Sequence, residues 1–163
     1  MSKSFWALLS VPFTLVLSNS LLIPVLPQIR KALNISLFQS GLIITAFSLT
    51  AGVVIPVAGY LSDRTGRKAI MVPALVLFGL GGVAAGLAAW LLPRPYPWIL
   101  GARILQGIGG GGTYQLALAL AGDIYTGKKR SRAVGYLEGA NGFGKVVAPL
   151  LGSATARLRF LPV

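Results

Sequence analysis

Charged residues divide this chain into long apolar stretches. No Asp, Glu, Lys or Arg occurs in residues 4–29, 32–62 or 69–93. A helix needs about 20 consecutive apolar residues to cross the hydrocarbon core of a bilayer. Each of these stretches is long enough, so the pattern predicts an all-α membrane protein.

Proline and charged segments set the expected ends of the membrane spans. Pro12 and Pro24 predict a kink or an early end in the first span, because proline removes a helical hydrogen bond. The run Pro93-Arg94-Pro95-Tyr96-Pro97 predicts a tight turn. The predicted connections are a loop at 27–36 and two charged loops at 62–68 and 123–132. About five transmembrane helices are predicted, at residues 5–26, 39–61, 69–92, 98–122 and 133–155.

The composition supports a membrane protein and excludes several other classes. Hydrophobic residues make up 55% of the chain and charged residues 11%, against about 25% charged in soluble domains. The net charge of +12 comes from short basic runs between apolar spans, so we expect no nucleic-acid binding. Cysteine and histidine are both absent. With no visible nucleophile–base pair, metal set or carboxylate pair, we expect no enzyme activity and no cofactor.

The distribution of basic residues predicts the orientation. An N-terminus on the cytoplasmic side places eight basic residues inside and three outside, which follows the positive-inside rule. The first span continues past residue 20 without a small-residue cleavage site, so we interpret it as an uncleaved span rather than a signal peptide. The eight are Lys3, Arg64, Arg67, Lys68, Lys128, Lys129, Arg130 and Arg132, and the three are Arg30, Lys31 and Arg94.

The loop after the second span carries the first specific signal. It reads Gly59-Tyr60-Leu61-Ser62-Asp63-Arg64-Thr65-Gly66-Arg67-Lys68. A polar cytoplasmic turn would explain the basic residues, but it explains neither Asp63 nor the glycines at 59 and 66. This run resembles the signature between the second and third helices of the major facilitator superfamily of transporters.

The fourth span contains a charge at Arg103, within the run Arg103-Ile104-Leu105-Gln106-Gly107-Ile108-Gly109-Gly110. This run resembles the fourth-helix signature of the same superfamily. A charge deep in a span costs several kcal/mol unless it faces a cavity or a partner, so a functional role is favoured. The alternative is an arginine near enough to the span end to reach the interface. Glycines 107, 109 and 112 match a dinucleotide-binding pattern, but no strand precedes them and we reject that site.

The fifth span carries glycines and a proline at defined spacing: Gly135, Gly144, Pro149 and Gly152. This arrangement resembles the fifth-helix motif of drug–proton antiporters within the superfamily, in which this helix faces the other half of the molecule. Ala148 and Ser153 stand where that motif has glycine, and both are small. An ordinary kinked membrane helix is the alternative interpretation.

Two charges lie seven residues apart inside the fifth span, Glu138 and Lys145. They share roughly one helix face, and an ammonium near mid-span needs water or a partner. We therefore expect Lys145 to line a cavity or to contact substrate. Glu138 is either a proton carrier or an interfacial carboxylate near Arg132.

The resemblance implies a partial N-terminal six-helix half of a major-facilitator fold, and proton-coupled efflux of small amphipathic compounds across the plasma membrane. It implies proton coupling by Arg103 and Glu138, and a substrate cavity lined by Gln106, Lys145 and Asn19. It also implies a cytoplasmic latch in which Asp123 pairs with Arg67 or Arg64, although Asp123 could be a simple helix-end acid. The latch residues are Gly59, Asp63, Arg64, Gly66, Arg67 and Asp123.

The chain is short for this family, whose members have twelve or fourteen helices. We expect residues 1–156 to form the transmembrane domain and the basic tail, 157–163, to mark a truncation or a frameshift. A fragment of this kind would be inactive alone and would need the missing C-terminal half or another membrane chain. Two alternatives remain open: a transporter of one specific metabolite with the same fold, and a non-transporting membrane protein that associates with a partner.

Overall fold

The computed structural model describes residues 3–157, and this range forms helices without any strand, which confirms the all-α prediction. Seven helical segments are present: α1 (Lys3–Ser20), α2 (Leu22–Ala32), α3 (Leu37–Thr65), α4 (Arg67–Leu91), α5 (Tyr96–Gly110), α6 (Thr113–Ile124) and α7 (Gly127–Arg157).

Three of the helical rods are long and apolar enough to cross a membrane. They are Phe5–Ala32, Leu37–Thr65 and Arg67–Leu91, with 28, 29 and 25 residues and mean hydropathies of 1.8, 2.1 and 2.2. At 1.5 Å per residue, even the shortest rod reaches about 37 Å, which exceeds a hydrocarbon core of about 30 Å. Large apolar side chains on α3 and α4 remain exposed along these rods, as expected of surfaces that face lipid.

The first rod is kinked at Leu21 and extends beyond its predicted end. Pro24 has no N–H to bond to the carbonyl of Ser20, so the helix is interrupted there. Leu21 keeps right-handed helical dihedrals, however, and α2 continues to Ala32 rather than ending at Leu26. The predicted loop at 27–36 is therefore too long, because Pro27 weakens the helix without ending it.

The connection between α3 and α4 is a single residue. Gly66 has φ +98°, a backbone conformation that residues other than glycine rarely adopt, and α4 begins at the next residue, Arg67. The predicted loop at 62–68 is thus mostly helical.

At the other end of α3, the Ser36 hydroxyl accepts from the Gln39 amide (3.1 Å) and the Gln39 side chain accepts from the Ser36 amide (2.9 Å), which starts the helix at Leu37.

The predicted fourth span is divided into α5 and α6 at Gly111 and Gly112. Gly112 has φ +80°, which ends the regular helix. A Cβ at Gly107 would lie 2.7 Å from the Phe47 carbonyl oxygen, and one at Gly111 would lie 2.9 Å from the Ala51 carbonyl oxygen. These glycines allow the α5 segment to lie directly on the backbone of α3. Their role is therefore close helix packing, which is the usual role of regularly spaced small residues in membrane helices.

Helices that are adjacent in sequence are not the main neighbours in space. The segment α5 lies between α3 and α4 and packs extensively against both, whereas α3 and α4 contact one another much less. The long helix α7 packs along α1, and α6 joins this second group. The larger apolar core lies mainly between α1, α6 and α7. Its buried members there are Phe5, Leu8, Val11, Leu15, Leu116, Ala117, Ala121, Ala133 and Leu137.

The glycine contacts predict which small residues the fold requires. Gly107→Ala should lower stability by about 1–3 kcal/mol, because the new methyl group would press on the α3 backbone. Gly79→Ala is the matched control: Gly79 lies inside α4 with nothing within 4 Å of a Cβ, so alanine should be neutral or gain about 1 kcal/mol. Thermal unfolding of both variants in lipid nanodiscs measures the difference. Equal midpoints would contradict the packing role of Gly107.

Candidate functional site

A charged side chain, Arg103, lies inside the bundle. Arg103 is only 2% exposed, and all three of its donor nitrogens have partners. Nε donates to the Ile43 carbonyl oxygen (3.1 Å), Nη1 to Gln106 Oε1 (2.6 Å) and Nη2 to Asn19 Oδ1 (2.8 Å). The guanidinium carbon also lies 4.8 Å from the centre of the Phe47 ring. Arg103 therefore does not extend to the membrane interface, and that alternative is wrong.

All of these partners are neutral. The chain has three acidic residues; Asp63 and Asp123 both pair with Arg67 elsewhere, and Glu138 is exposed on α7. Arg103 therefore makes no ion pair within residues 3–157. Hydrogen bonds and the aromatic ring replace hydration, but the positive charge itself is not neutralised by the described part of the chain.

Gln106 orients this arginine. Its Oε1 accepts from Arg103, and its Nε2 donates to Ser18 Oγ (3.2 Å), so both ends of the amide are used. Gln106 and Arg103 line a cavity of about 520 Å³ whose remaining walls, from α1 to α5, are otherwise almost entirely apolar. The structure thus places Gln106 beside Arg103 and apart from Lys145, with which it was grouped in the sequence prediction.

A second, more polar cavity lies between α1, α3, α6 and α7. We call it the Lys145 cavity; its volume is about 240 Å³. Asn19 and Lys145 both line it, so the structure brings these two predicted residues together. Its apolar walls include Leu15, Phe47 and Ile55. The polar side chains of the lining are Asn19, Ser20, Tyr114, Gln115, Asn141 and Lys145.

Two of these polar groups were missed by the sequence reasoning. The Tyr114 hydroxyl and Asn141 Oδ1 are buried, and neither has a hydrogen-bond partner among the described residues. Buried polar atoms in native structures are nearly always satisfied, which indicates that water or a ligand completes this cavity. The position of Asn141 between Glu138 and Lys145 in the fifth predicted span was the available signal for it.

Glu138 lies near the Tyr114 hydroxyl but not close to Lys145. Seven helical residues separate the two charges along α7, about 10 Å of axial rise, and no ion pair joins them in the described part of the chain. Nor does Glu138 form an ion pair there with Arg132, the interfacial partner considered from the sequence. Arg103 and Glu138 are not in direct contact either.

The predicted latch converges on Arg67. Its Nη1 lies 2.6 Å from Asp63 Oδ1, its Nε lies 3.2 Å from Asp123 Oδ2, and Nη1 also donates to Ser62 Oγ (2.8 Å). Of the two candidates for Asp123, the structure selects Arg67. Arg64 instead stacks over the Tyr60 ring, 4.4 Å from its centre. Both acids remain exposed, so each ion pair contributes at most about 1 kcal/mol.

The glycines of the fifth predicted span have different surroundings. A Cβ at Gly144 would lie 3.3 Å from Val16, and one at Gly152 would lie 2.6 Å from the Leu21 carbonyl oxygen. Gly135 has nothing within 4 Å, and Gly59 likewise. Two of the motif positions therefore seat α7 against α1 and the start of α2. Elsewhere on α7, Val146 and Leu150 are exposed, and the partly exposed Phe143 ring stacks on Phe13 of α1 with 6.1 Å between the ring centres.

The comparisons with known proteins agree with this architecture. The family model described as "Major Facilitator Superfamily" matches residues 8–160. The chain is 47% identical over 156 residues to the bacillibactin exporter of Bacillus subtilis (strain 168), an alignment that covers 94% of this chain and 39% of that protein. It is 32% identical over 152 residues to multidrug resistance protein 2 of the same organism, covering 93% of this chain and 37% of that protein.

This chain belongs to the major facilitator superfamily, a family of membrane transporters rather than enzymes. It spans less than two fifths of the length of the two relatives above and corresponds to part of the N-terminal half of the fold.

The hydrogen bonds of Arg103 predict a stability effect at Gln106. Gln106→Leu should lower the free energy of unfolding by about 1–3 kcal/mol, because a buried charged donor loses its acceptor. Gln106→Glu keeps an acceptor at the same distance and adds a countercharge, so it should be at least as stable as the original. Thermal unfolding in nanodiscs compares the three proteins. If the leucine variant matches the original, the arginine does not depend on this bond.

Proposed function

We propose that this chain forms the N-terminal part of a proton-coupled exporter of small amphipathic compounds. The observation that carries the proposal is the buried Arg103, which is held by neutral groups, one of which, Asn19, also lines the Lys145 cavity. The family supports transport in general. The names of the relatives, an exporter and a multidrug resistance protein, support efflux.

In this proposal Glu138 carries the proton and Arg103 supplies a fixed positive charge. Glu138 is the acid that remains once Asp63 and Asp123 are assigned to the latch, and it lies near Tyr114 at the cavity wall. The two side chains are not in contact in this structure, so coupling between them would require a rearrangement of the helices.

The latch would control access on one side of the membrane. Arg67 joins the end of α3 to the end of α6 through Asp63 and Asp123. Weak, exposed ion pairs suit a contact that has to open and close in each transport cycle. The glycines at 59 and 66 belong to the same segment. We place this side in the cytoplasm, with the protein in the plasma membrane, on the distribution of basic residues.

The substrate would lie between this part and the C-terminal half, as in transporters that bind near the midplane between two halves. Asn19 and Lys145 line the corresponding cavity, whereas Gln106 acts by holding Arg103. Gly144 and Gly152 let α7 pack closely on α1, and Gly135 and Pro149 would allow it to bend.

A transporter of one specific metabolite is the second candidate, because the relative that is 47% identical is named for the export of one compound. A non-transporting chain that associates with another membrane protein is the third candidate. The second and third candidates have the same fold as the first, and an export experiment distinguishes the three.

A chimera tests these proposals. Residues 1–156 are joined to the remainder of the bacillibactin exporter of Bacillus subtilis, and ethidium efflux is measured in cells with and without a protonophore. A proton-coupled exporter of amphipathic compounds should extrude ethidium only while the proton gradient persists. Export of bacillibactin without ethidium would favour the specific transporter. No export of either compound by a stably inserted chimera would favour the non-transporting chain.

Arg103 should be essential in this chimera. Arg103→Ala should reduce efflux to the background rate, and Arg103→Lys should retain little activity, because an ammonium cannot reach the three acceptors of the guanidinium at once. Arg94→Ala is the matched control, since Arg94 is exposed in the connection between α4 and α5 and should leave efflux unchanged. Immunoblots verify equal amounts of protein. Normal efflux by the alanine variant would remove Arg103 from the mechanism.

A further inference from the structure

We propose that the Lys145 cavity binds the acidic group of an organic anion, with the Lys145 ammonium as its countercharge. This inference names a substrate class for the proposed exporter and rests on that function. The inference starts from Lys145, a charged residue that has no ion-pair partner in the described part of the chain.

Lys145 lies on α7, within the fifth span that the sequence predicts, and forms no ion pair within residues 3–157. A charged group at membrane depth is costly and pairs with another charge or faces a water-filled cavity. Two of the three acids are already paired with Arg67, and Glu138 is about 10 Å away along α7. The described chain therefore supplies no anion to Lys145.

The lining of the cavity contains one cation and no acid, and the acid Glu138 lies near Tyr114, one of the lining residues. Lys145 is the only charged side chain among the residues that line it. Asn19 also lines the cavity, and its Oδ1 accepts from Arg103. The Arg103 guanidinium, which has no ion-pair partner in the described range, is therefore separated from the cavity by the Asn19 side chain. Two positive charges on the same side attract an anion.

A second observation indicates a ligand in the same place. Asn141 is only 7% exposed, and its Oδ1 lacks a hydrogen-bond partner in the described part of the chain, as does the Tyr114 hydroxyl. Both residues line the Lys145 cavity. They provide an acceptor and a hydroxyl that a polar group on the ligand can satisfy.

The remaining walls determine what else the ligand contains. Leu15, Val16, Phe47 and Ile55 contribute apolar surface to the cavity. A ligand that fits these walls has an apolar body, an acidic group near Lys145 and a hydrogen-bonding group near Asn141. Binding pockets for small molecules combine apolar walls with a few polar groups in this manner.

Binding by the chain itself tests the inference without transport. The full chain is placed in phosphatidylcholine nanodiscs, and the affinities of 2-naphthoate and of its uncharged counterpart 2-naphthylmethanol are measured by naphthalene fluorescence, with empty nanodiscs subtracted. The two probes share one apolar body and differ in the acidic group. We expect 2-naphthoate to bind about fivefold more tightly, as one ion pair of about 1 kcal/mol implies.

Variants of two lysines on α7 identify the source of this preference. Lys145→Met keeps the length of the side chain without its charge and should abolish the preference. Lys145→Arg keeps the charge and should preserve it, which leaves the inference testable if the methionine variant does not fold. Lys128→Met is the matched control: it removes the same charge from the same helix, away from the cavity. Circular dichroism and gel filtration verify that each variant is folded.

Three results would overturn the inference. The first is an original chain without any preference for 2-naphthoate. The second is a folded Lys145→Met variant that keeps the preference, or a folded Lys145→Arg variant that loses it. The third is an equal loss in Lys128→Met, which would indicate a general effect of net charge.

Failure of the inference and failure of the proposed function give different results. A chimera that extrudes ethidium while the chain shows no preference for 2-naphthoate retains the exporter and rejects the anion site. A chimera that exports neither ethidium nor bacillibactin nor 2-naphthoate, combined with a preference that depends on Lys145, retains the anion site and rejects the exporter.

Discussion

The burial of one guanidinium group organises the part of the bundle around α5. Arg103 reaches from α5 to the α3 backbone at Ile43 and to Asn19 on α1, and Gln106 extends the same network to Ser18. A buried charge that loses such partners is strongly destabilising, so the relative positions of these three helices are constrained together. The glycines from 107 to 112 make the network geometrically feasible, because they allow α5 to approach α3 closely enough for the arginine to reach a backbone carbonyl.

The same region divides the chain into a rigid part and an open part. Around Arg103, every donor is satisfied and the side chains are buried. On the other side of Asn19, the Lys145 cavity contains an exposed ammonium and two polar atoms without partners. The hydrogen-bonded network around Arg103 thus reaches one wall of the Lys145 cavity through Asn19, whereas two polar atoms of the cavity lack hydrogen-bond partners. This arrangement is expected of a site whose remaining contacts come from a ligand and from protein outside the described range.

The sequence predicted the membrane class and the family, and it gave Arg67 as one of two partners for Asp123, because charge-free stretches and fixed spacings indicate these features directly. It did not predict three local features. The continuation of the first helix past Pro27 depends on packing, and proline alone indicated a loop. The reduction of the 62–68 loop to Gly66 depends on one backbone conformation. The separation of Gln106 from Lys145 into two cavities depends on the rotation of α5 relative to α7, which no spacing within one helix reveals.

The one-residue connection at Gly66 has a geometric consequence. It holds the end of α3 close to the start of α4, yet α5 packs between these two helices and contacts each of them more than they contact one another. The two helices therefore diverge with distance from Gly66, and this glycine is the apex of the wedge-shaped space that α5 fills.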